Sequence, residues 1–119
     1  MDKKSFGLIG ELSAVQFLER KGWRILENNF VCPLGEIDVI AIDGAAVVFV
    51  EVKHRATLKY GYPSEAVNTH KQYKISQVAA FYIKRKALYD RCARFDVIEV
   101  LGGKWINHIE NAFESKISF

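Results

Sequence analysis

The stretch from Gly35 to Arg55 constrains the fold of this chain more than any other. It holds two runs of strand-forming residues, Ile37-Asp38-Val39-Ile40-Ala41-Ile42 and Val47-Val48-Phe49-Val50-Glu51-Val52, on either side of Asp43-Gly44. Asp-Gly between two such runs is a strong two-residue hairpin signal. The expected strands are 36–42 and 46–54. With Asp43 and Gly44 as the loop, Ile42 stands opposite Ala45, Asp38 opposite Phe49 and Glu36 opposite Glu51. Opposed residues of an antiparallel pair share a face, and so do residues two apart on one strand. Asp38, Glu51 and Lys53 are therefore expected on one face, with the two acids as diagonal neighbours roughly 5–8 Å apart. A three-residue loop would reverse the parity and scatter them.

The rest of the chain is read around this hairpin. Residues 7–21 are expected to form a helix ended by Gly22, with Leu8, Leu12, Val15 and Leu18 on its apolar face. Glu11 falls inside that face, where a charge is unfavourable unless it pairs or binds a cation. A first strand is expected at 23–31, and Pro33 with Gly35 marks a turn. A loop follows over 56–68, containing Gly61 and Pro63, with a helical turn near Glu65. A second helix starts at Thr69, where Thr69-His70-Lys71-Gln72 fits a capping box, and buries Ile75, Val78, Ala79 and Tyr82. A basic connection over 84–94 leads to a strand at 95–101. Gly102-Gly103 turns the chain into a fifth strand, Trp105 to Ile109. The order α-β-β-β-α-β-β implies an α/β domain, a central mixed sheet of four to five strands flanked by helices. At 119 residues a single domain spanning 1–119 is expected.

Charge is unevenly spread. The net charge is +3, yet between Lys53 and Arg94 ten lysine or arginine residues face only Glu65 and Asp90. Such asymmetry points to a polyanionic partner. There is no apolar run near the roughly 20 residues of a membrane span, so no membrane partner is expected. Glu11 interrupts the run from Phe6 too early for a signal-peptide core. Cys32 and Cys92 form no C-x-x-C, and the three histidines are dispersed, which argues against zinc and for a reduced, cytoplasmic protein.

An aspartate followed by Glu-x-Lys within strands is costly without a purpose. It suits magnesium-dependent phosphodiester hydrolysis. The carboxylates are hard oxygen ligands, and the lysine is a point charge near the phosphate. The alternative for the same residues is a buried salt bridge, Lys53 with Glu51 or Asp38.

Asp38 followed by Glu51-Val52-Lys53 resembles the PD-(D/E)XK nuclease superfamily. More narrowly, the chain resembles the YraN-type family of uncharacterised bacterial proteins. The matching stretches are Gly10-Glu11, Gly22 to Leu26, Asn29, Gly35 to Ala41, Phe49 to Arg55, Gly61-Tyr62-Pro63, Glu65-Ala66-Val67, Lys71, Arg94 to Ile98 and Asn111-Ala112-Phe113. That family is similar to archaeal Holliday-junction resolvases. The resemblance implies a restriction-endonuclease-like fold and divalent-metal-dependent cleavage of DNA, including branched or junction DNA. It implies Mg2+ or Mn2+ on Asp38 and Glu51, with Lys53 as the catalytic lysine. Glu11 would complete the site through water or metal. Val31 and Cys32 depart from the pattern, standing where a polar or basic residue is expected before the Gly-Glu-Ile-Asp turn.

Arg55, Lys71 and Lys74 are candidate nucleic-acid contacts. Lys71 opens a helix and shares the direction of Ile75, Val78 and Tyr82, so it should face the sheet. Glu36 is a third possible metal-site carboxylate, and Tyr62 a possible stacking partner for an unpaired base. Asp96 reads as structural, holding Arg94 or a turn. The leading function is a divalent-metal-dependent nuclease, acting as a monomer or homodimer. The alternative is a non-catalytic nucleic-acid-binding module of the same fold.

Overall fold

The computed structural model describes residues 2–55, 67–102 and 105–118. The expected loop with Gly61 and Pro63, the turn near Glu65 and the aromatic Tyr62 lie outside them. In chain order the elements are α1 (Lys3–Arg20), β1 (Arg24–Cys32), β2 (Gly35–Asp43), β3 (Ala46–Arg55), α2 (Thr69–Lys86), β4 (Cys92–Leu101) and β5 (Trp105–Ile109). The expected α/β order is borne out. The strands form one mixed sheet in the order β1-β2-β3-β4-β5. Only β3–β4 is parallel, because a parallel neighbour needs a long crossover and α2 lies within that connection. Among the described residues no helix is long and apolar enough to cross a membrane.

The β2–β3 hairpin turns through a two-residue loop, as expected, but one residue later. Asp43 pairs with Ala46 and Ile42 with Val47, so the loop is Gly44-Ala45, with Gly44 at φ 57°. That left-handed backbone is easy for glycine and costly for aspartate. The slip preserves the parity but moves Asp38 from diagonal to directly opposite Glu51 in the extrapolated register.

Two helices cover the two faces. On one, Ala14 and Leu18 of α1 pack with Val39, Ala41, Val48, Val50, Ile98 and Val100. On the other, Ile75, Val78, Ala79, Tyr82 and Ile83 of α2 pack with Ile37, Ile40, Val47, Phe49, Phe95 and Val97. The buried face expected for α2 is borne out. That of α1 is borne out only in part. Leu8 and Leu12 are exposed, while Gly10, Ala14 and Leu18 are buried. Small residues win here because the helix lies close to the sheet. A Cβ on Gly10 would come within 2.5 Å of the His54 Cβ.

The helix ends also differ from expectation. Asp2 caps α1 by accepting from the Ser5 N–H at 2.7 Å, and the helix runs from Lys3 to Arg20. Asn68, not Thr69, caps α2, accepting from the Lys71 N–H at 2.9 Å. Gln72 turns back to donate to the Val67 carbonyl at 2.7 Å. The basic stretch expected as a connection over 84–94 is mostly structured. The helix continues to Lys86, left-handed Ala87 ends it, and β4 begins at Cys92.

Candidate functional site: a fork between β2 and β3

The candidate site arises where two strands part. The β2–β3 register ends at Val39–Val50. Beyond it, β2 stays with β1 to Gly35, and β3 stays with β4 to Arg55. Asp38 sits at the crotch. Its Oδ2 accepts from the Val52 backbone N–H at 2.8 Å, so a side chain satisfies a donor that the ladder has released.

Strand alternation slips at the same place. Ile37 and Ile40 both belong to the α2-side core, whereas Val39 belongs to the α1-side core. Asn29 of β1, between the pairs Asn28–Val39 and Phe30–Ile37, takes a left-handed φ of 57°. Asp38 lies at this slip, bonded across the gap to Val52 and lining the cleft on the α1 side. Glu51 and Lys53 keep the alternation and reach toward α2. The expectation of one shared face therefore holds for Glu51 and Lys53, while Asp38 meets Glu51 across the fork.

Glu51 is buried and gathers two cations on one oxygen. Its Oε1 lies 2.6 Å from Lys71 Nζ and 3.4 Å from Lys53 Nζ. The Asn68 cap sets the first turn of α2, and thereby the Lys71 backbone, against the sheet. Lys71 faces the sheet as expected.

The electrostatics are unbalanced. Burial, then Glu51, then Glu11 push the Asp38 carboxyl up from 3.8 to about 7, against the Val52 N–H and Lys71. Burial and the neighbouring Lys71 hold the Lys53 ammonium below its usual range, although Glu51 opposes them. Burial is the largest single influence on Lys71 and acts to lower it, but the hydrogen bonds with Glu51 and Lys53 and the charges of Glu51 and Asp38 together outweigh it and hold Lys71 above the usual range. Of the two lysines, Lys71 is the better proton holder.

Glu11 reaches this region from α1. It lines a cleft of about 420 Å3 together with Asp38, Glu36, Asn29, Lys3 and Lys4. Glu11 Oε2 is buried without a hydrogen-bond partner among the described residues. Glu36 itself is exposed and pairs with Val31 of β1, and in the shifted hairpin register it no longer stands opposite Glu51, whose place across from β2 falls to Asp38. Arg55 Nε lies 3.5 Å from Glu99 Oε2. Lys74 is exposed and lines, with Lys71, a second cleft on the α2 side.

Glu99 was missed by sequence reasoning. It is fully buried, stands beside Lys53 in the β3–β4 register, and neither carboxylate oxygen has a hydrogen bond among the described residues. Burial raises its carboxyl, with Arg55 pulling the other way. An acid within the apolar run Val97-Ile98-Glu99-Val100 was the available signal.

The donor set fits a hard divalent cation in chemistry. Two opposed carboxylates and an orphaned glutamate oxygen make a site short of positive charge. Among the described residues, however, no three acidic, histidine or cysteine side chains stand together as a ready metal cluster. Asp38 and Glu51 would be the direct ligands, with Glu11 acting through water.

Comparison with known proteins places the chain. The model of Uncharacterised protein family UPF0102 matches residues 10–100. A UPF0102 protein of Caldanaerobacter subterraneus subsp. tengcongensis is 47% identical over 119 residues, covering 95% of this chain and 98% of the relative. One from Alkaliphilus metalliredigens is 50% identical over 112 residues, covering 92% and 98%. One from Clostridioides difficile is 49% identical over 114 residues, covering 95% and 100%.

Proposed function

The chain belongs to the uncharacterised protein family UPF0102, the YraN-type family its motifs resemble, and we propose that it is a divalent-metal-dependent phosphodiesterase that cuts nucleic acid, DNA foremost. The observation that carries this reading is the confrontation of Asp38 with Glu51 at the fork, where burial and like charge push one carboxyl up to about 7. A cation is what such a pair lacks. When bound, Mg2+ or Mn2+ would supply a hydroxide near neutral pH and offset charge in the transition state.

The chain's own residues divide the remaining work. Asp38 and Glu51 would hold the ion, and the orphaned Glu11 oxygen would hold a water beside it. Lys71, the better proton holder, keeps its charge for the phosphate. Lys53 gives up its proton more readily, so it can orient the attacking water or accept a proton from it. Lys74, exposed on α2, would extend the cationic surface toward the nucleic-acid backbone, and Arg55, at the end of β3 and 3.5 Å from Glu99, would be a further phosphate contact.

The direct test offers supercoiled plasmid and synthetic four-way junctions to the protein with Mg2+ or Mn2+. Cleavage is expected, and Asp38→Asn and Glu51→Gln should abolish it while the protein remains folded. A folded, metal-binding protein that cuts none of these substrates would sink the reading.

One observation favours the alternative, a binding module without turnover. Glu51 Oε1 is already engaged by two lysines, and no ready metal cluster is present among the described residues. Salt-dependent nucleic-acid binding that ignores both metal and Asp38→Asn would support that alternative.

A further inference from the structure

The α2-side cleft does not have the surface expected for gripping a backbone alone. Its volume is about 450 Å3, and it lies between the β1–β2 turn and the first turns of α2. Its walls include Val31, Leu34, Ile75 and Val78, with Lys71 and Lys74 among the lining residues. Val31 is 68% exposed and Leu34 43% exposed, so both offer apolar surface to whatever enters. Val31, with Cys32 beside it in the lining, stands where the motif pattern called for a polar or basic side chain.

Two chemistries thus meet in one opening. Lysines alone would serve a phosphate, and an apolar wall alone would serve a greasy ligand. Both together suit a nucleotide whose base is free of its partner, with base on the apolar wall and phosphate at the lysines. A paired base cannot enter without leaving its stack, which costs energy that an unpaired base does not. The cleft also adjoins the fork. Lys71 lines it and holds Glu51 at 2.6 Å, and Glu36 lines both it and the α1-side cleft that contains Asp38.

We propose that this cleft receives the base of an unpaired nucleotide beside the phosphodiester at the fork, so that the preferred substrate carries a single-stranded segment. The assignment rests on the phosphodiesterase reading for its position in the reaction. Its recognition chemistry stands on the cleft alone.

Binding is measured with the wild-type chain in chelator, so that nothing is cut. The probes are a short single strand, the same strand with a run of abasic sites, and a blunt duplex of equal length. The intact strand should bind about tenfold tighter than the abasic one, the discrimination expected from burying roughly 50 Å2 of a base's apolar surface against the aliphatic wall. Leu34→Ser and Val31→Ser alter exposed side chains and should bring the intact strand close to the abasic value while leaving duplex binding unchanged. Lys74→Ala should weaken both strands alike and reduce the salt slope by about one. Equal affinity for intact and abasic strands, or discrimination that survives Leu34→Ser, overturns the proposal. Calorimetric titration of Mn2+ into the same preparations separates the two readings. Base-dependent binding without metal binding removes the phosphodiesterase and keeps the cleft. Metal binding without base dependence removes only the cleft.

Discussion

Asp96 and Asp38 are both aspartates of the central sheet, and their surroundings are opposite. Asp96 is fully buried and fully answered. Arg94 donates to both its oxygens at 2.9 and 3.0 Å, His108 Nε2 lies at 2.8 Å and the Asn111 N–H at 3.0 Å. Burial pushes its carboxyl up, but the hydrogen bonds from His108, Arg94 and Asn111 outweigh it and hold it below the usual range. Asp38 has one backbone N–H and two hostile carboxylates, and rises to about 7. A chain that can satisfy one buried aspartate so completely leaves the other short of charge. That contrast, more than the motif, sets the fork apart from the Asp96 cluster and is what supports the proposed site there. Asp96 holds β4 to β5 and to the turn at Asn111. His108 extends the cluster to Lys21 at the end of α1, 3.0 Å away.

The largest effect should separate the two aspartates by sign. Asp96→Ala leaves Arg94 and His108 without their shared acceptor and should cost about 3–5 kcal/mol in urea unfolding. Asp38→Asn removes a repelled charge and should stabilise the protein at pH 8, raising Tm by about 5 °C. If both variants lose stability alike, Asp38 is framework too.

The pH dependence should be large and should originate at the fork. A carboxyl raised by folding contributes stability that is whole below its ordinary 3.8 and lost as pH climbs through about 7. Glu99 is raised in the same direction and adds to the loss. Asp96, held low, contributes stability above its ordinary value that is lost only in acid. Metal-free protein should therefore melt at lower temperature at pH 8 than at pH 5. Saturating Mn2+ should reverse most of that decline in scanning calorimetry, and Asp38→Asn should flatten it without metal. A decline that Mn2+ leaves unchanged would count against a cation between Asp38 and Glu51.

Two smaller effects probe how each helix delivers its residue to the fork. Gly10→Ala puts a methyl group against His54 and should cost about 1–3 kcal/mol by pushing α1 outward. It should also weaken any Mn2+ binding that depends on Glu11. Asn68→Ala removes the α2 cap and should cost about 1 kcal/mol. A loosened first turn should weaken the grip of Lys71 on Glu51, and the carboxyl titrations followed by NMR would reveal it.

Much of this was written in local pattern. The Asp-Gly turn and its flanking runs announced the hairpin, and two-residue parity placed Glu51 and Lys53 on one face despite a loop shifted by one residue. Glu11 stood out because helix phase put a charge among apolar neighbours, and it is indeed half-buried with an orphaned oxygen. The direction of Lys71 followed from the stripe Ile75, Val78, Tyr82. These are short-range properties, set by 3.6-residue and two-residue periods and by the turn chemistry of a few residues.

The remainder depended on how distant surfaces fit. Large apolar residues placed the face of α1 only in part, since Val15 and Leu18 pack inward while close approach to His54 at Gly10 and the burial of Ala14 leave Leu8 and Leu12 exposed. The parting of β2 from β3 at Asp38 has no signature in either strand alone, because it arises from each finding a better partner on its other side. Asn29, with its left-handed backbone, stands beside the slip in alternation on a third strand. The contact of Lys71 with Glu51 and the burial of Glu99 beside Arg55 likewise join residues far apart in the chain. The residues' types and phases were thus legible from the chain. Their charges, partners and openings were not, because burial and electrostatic environment are properties of packed neighbours and no single segment carries them.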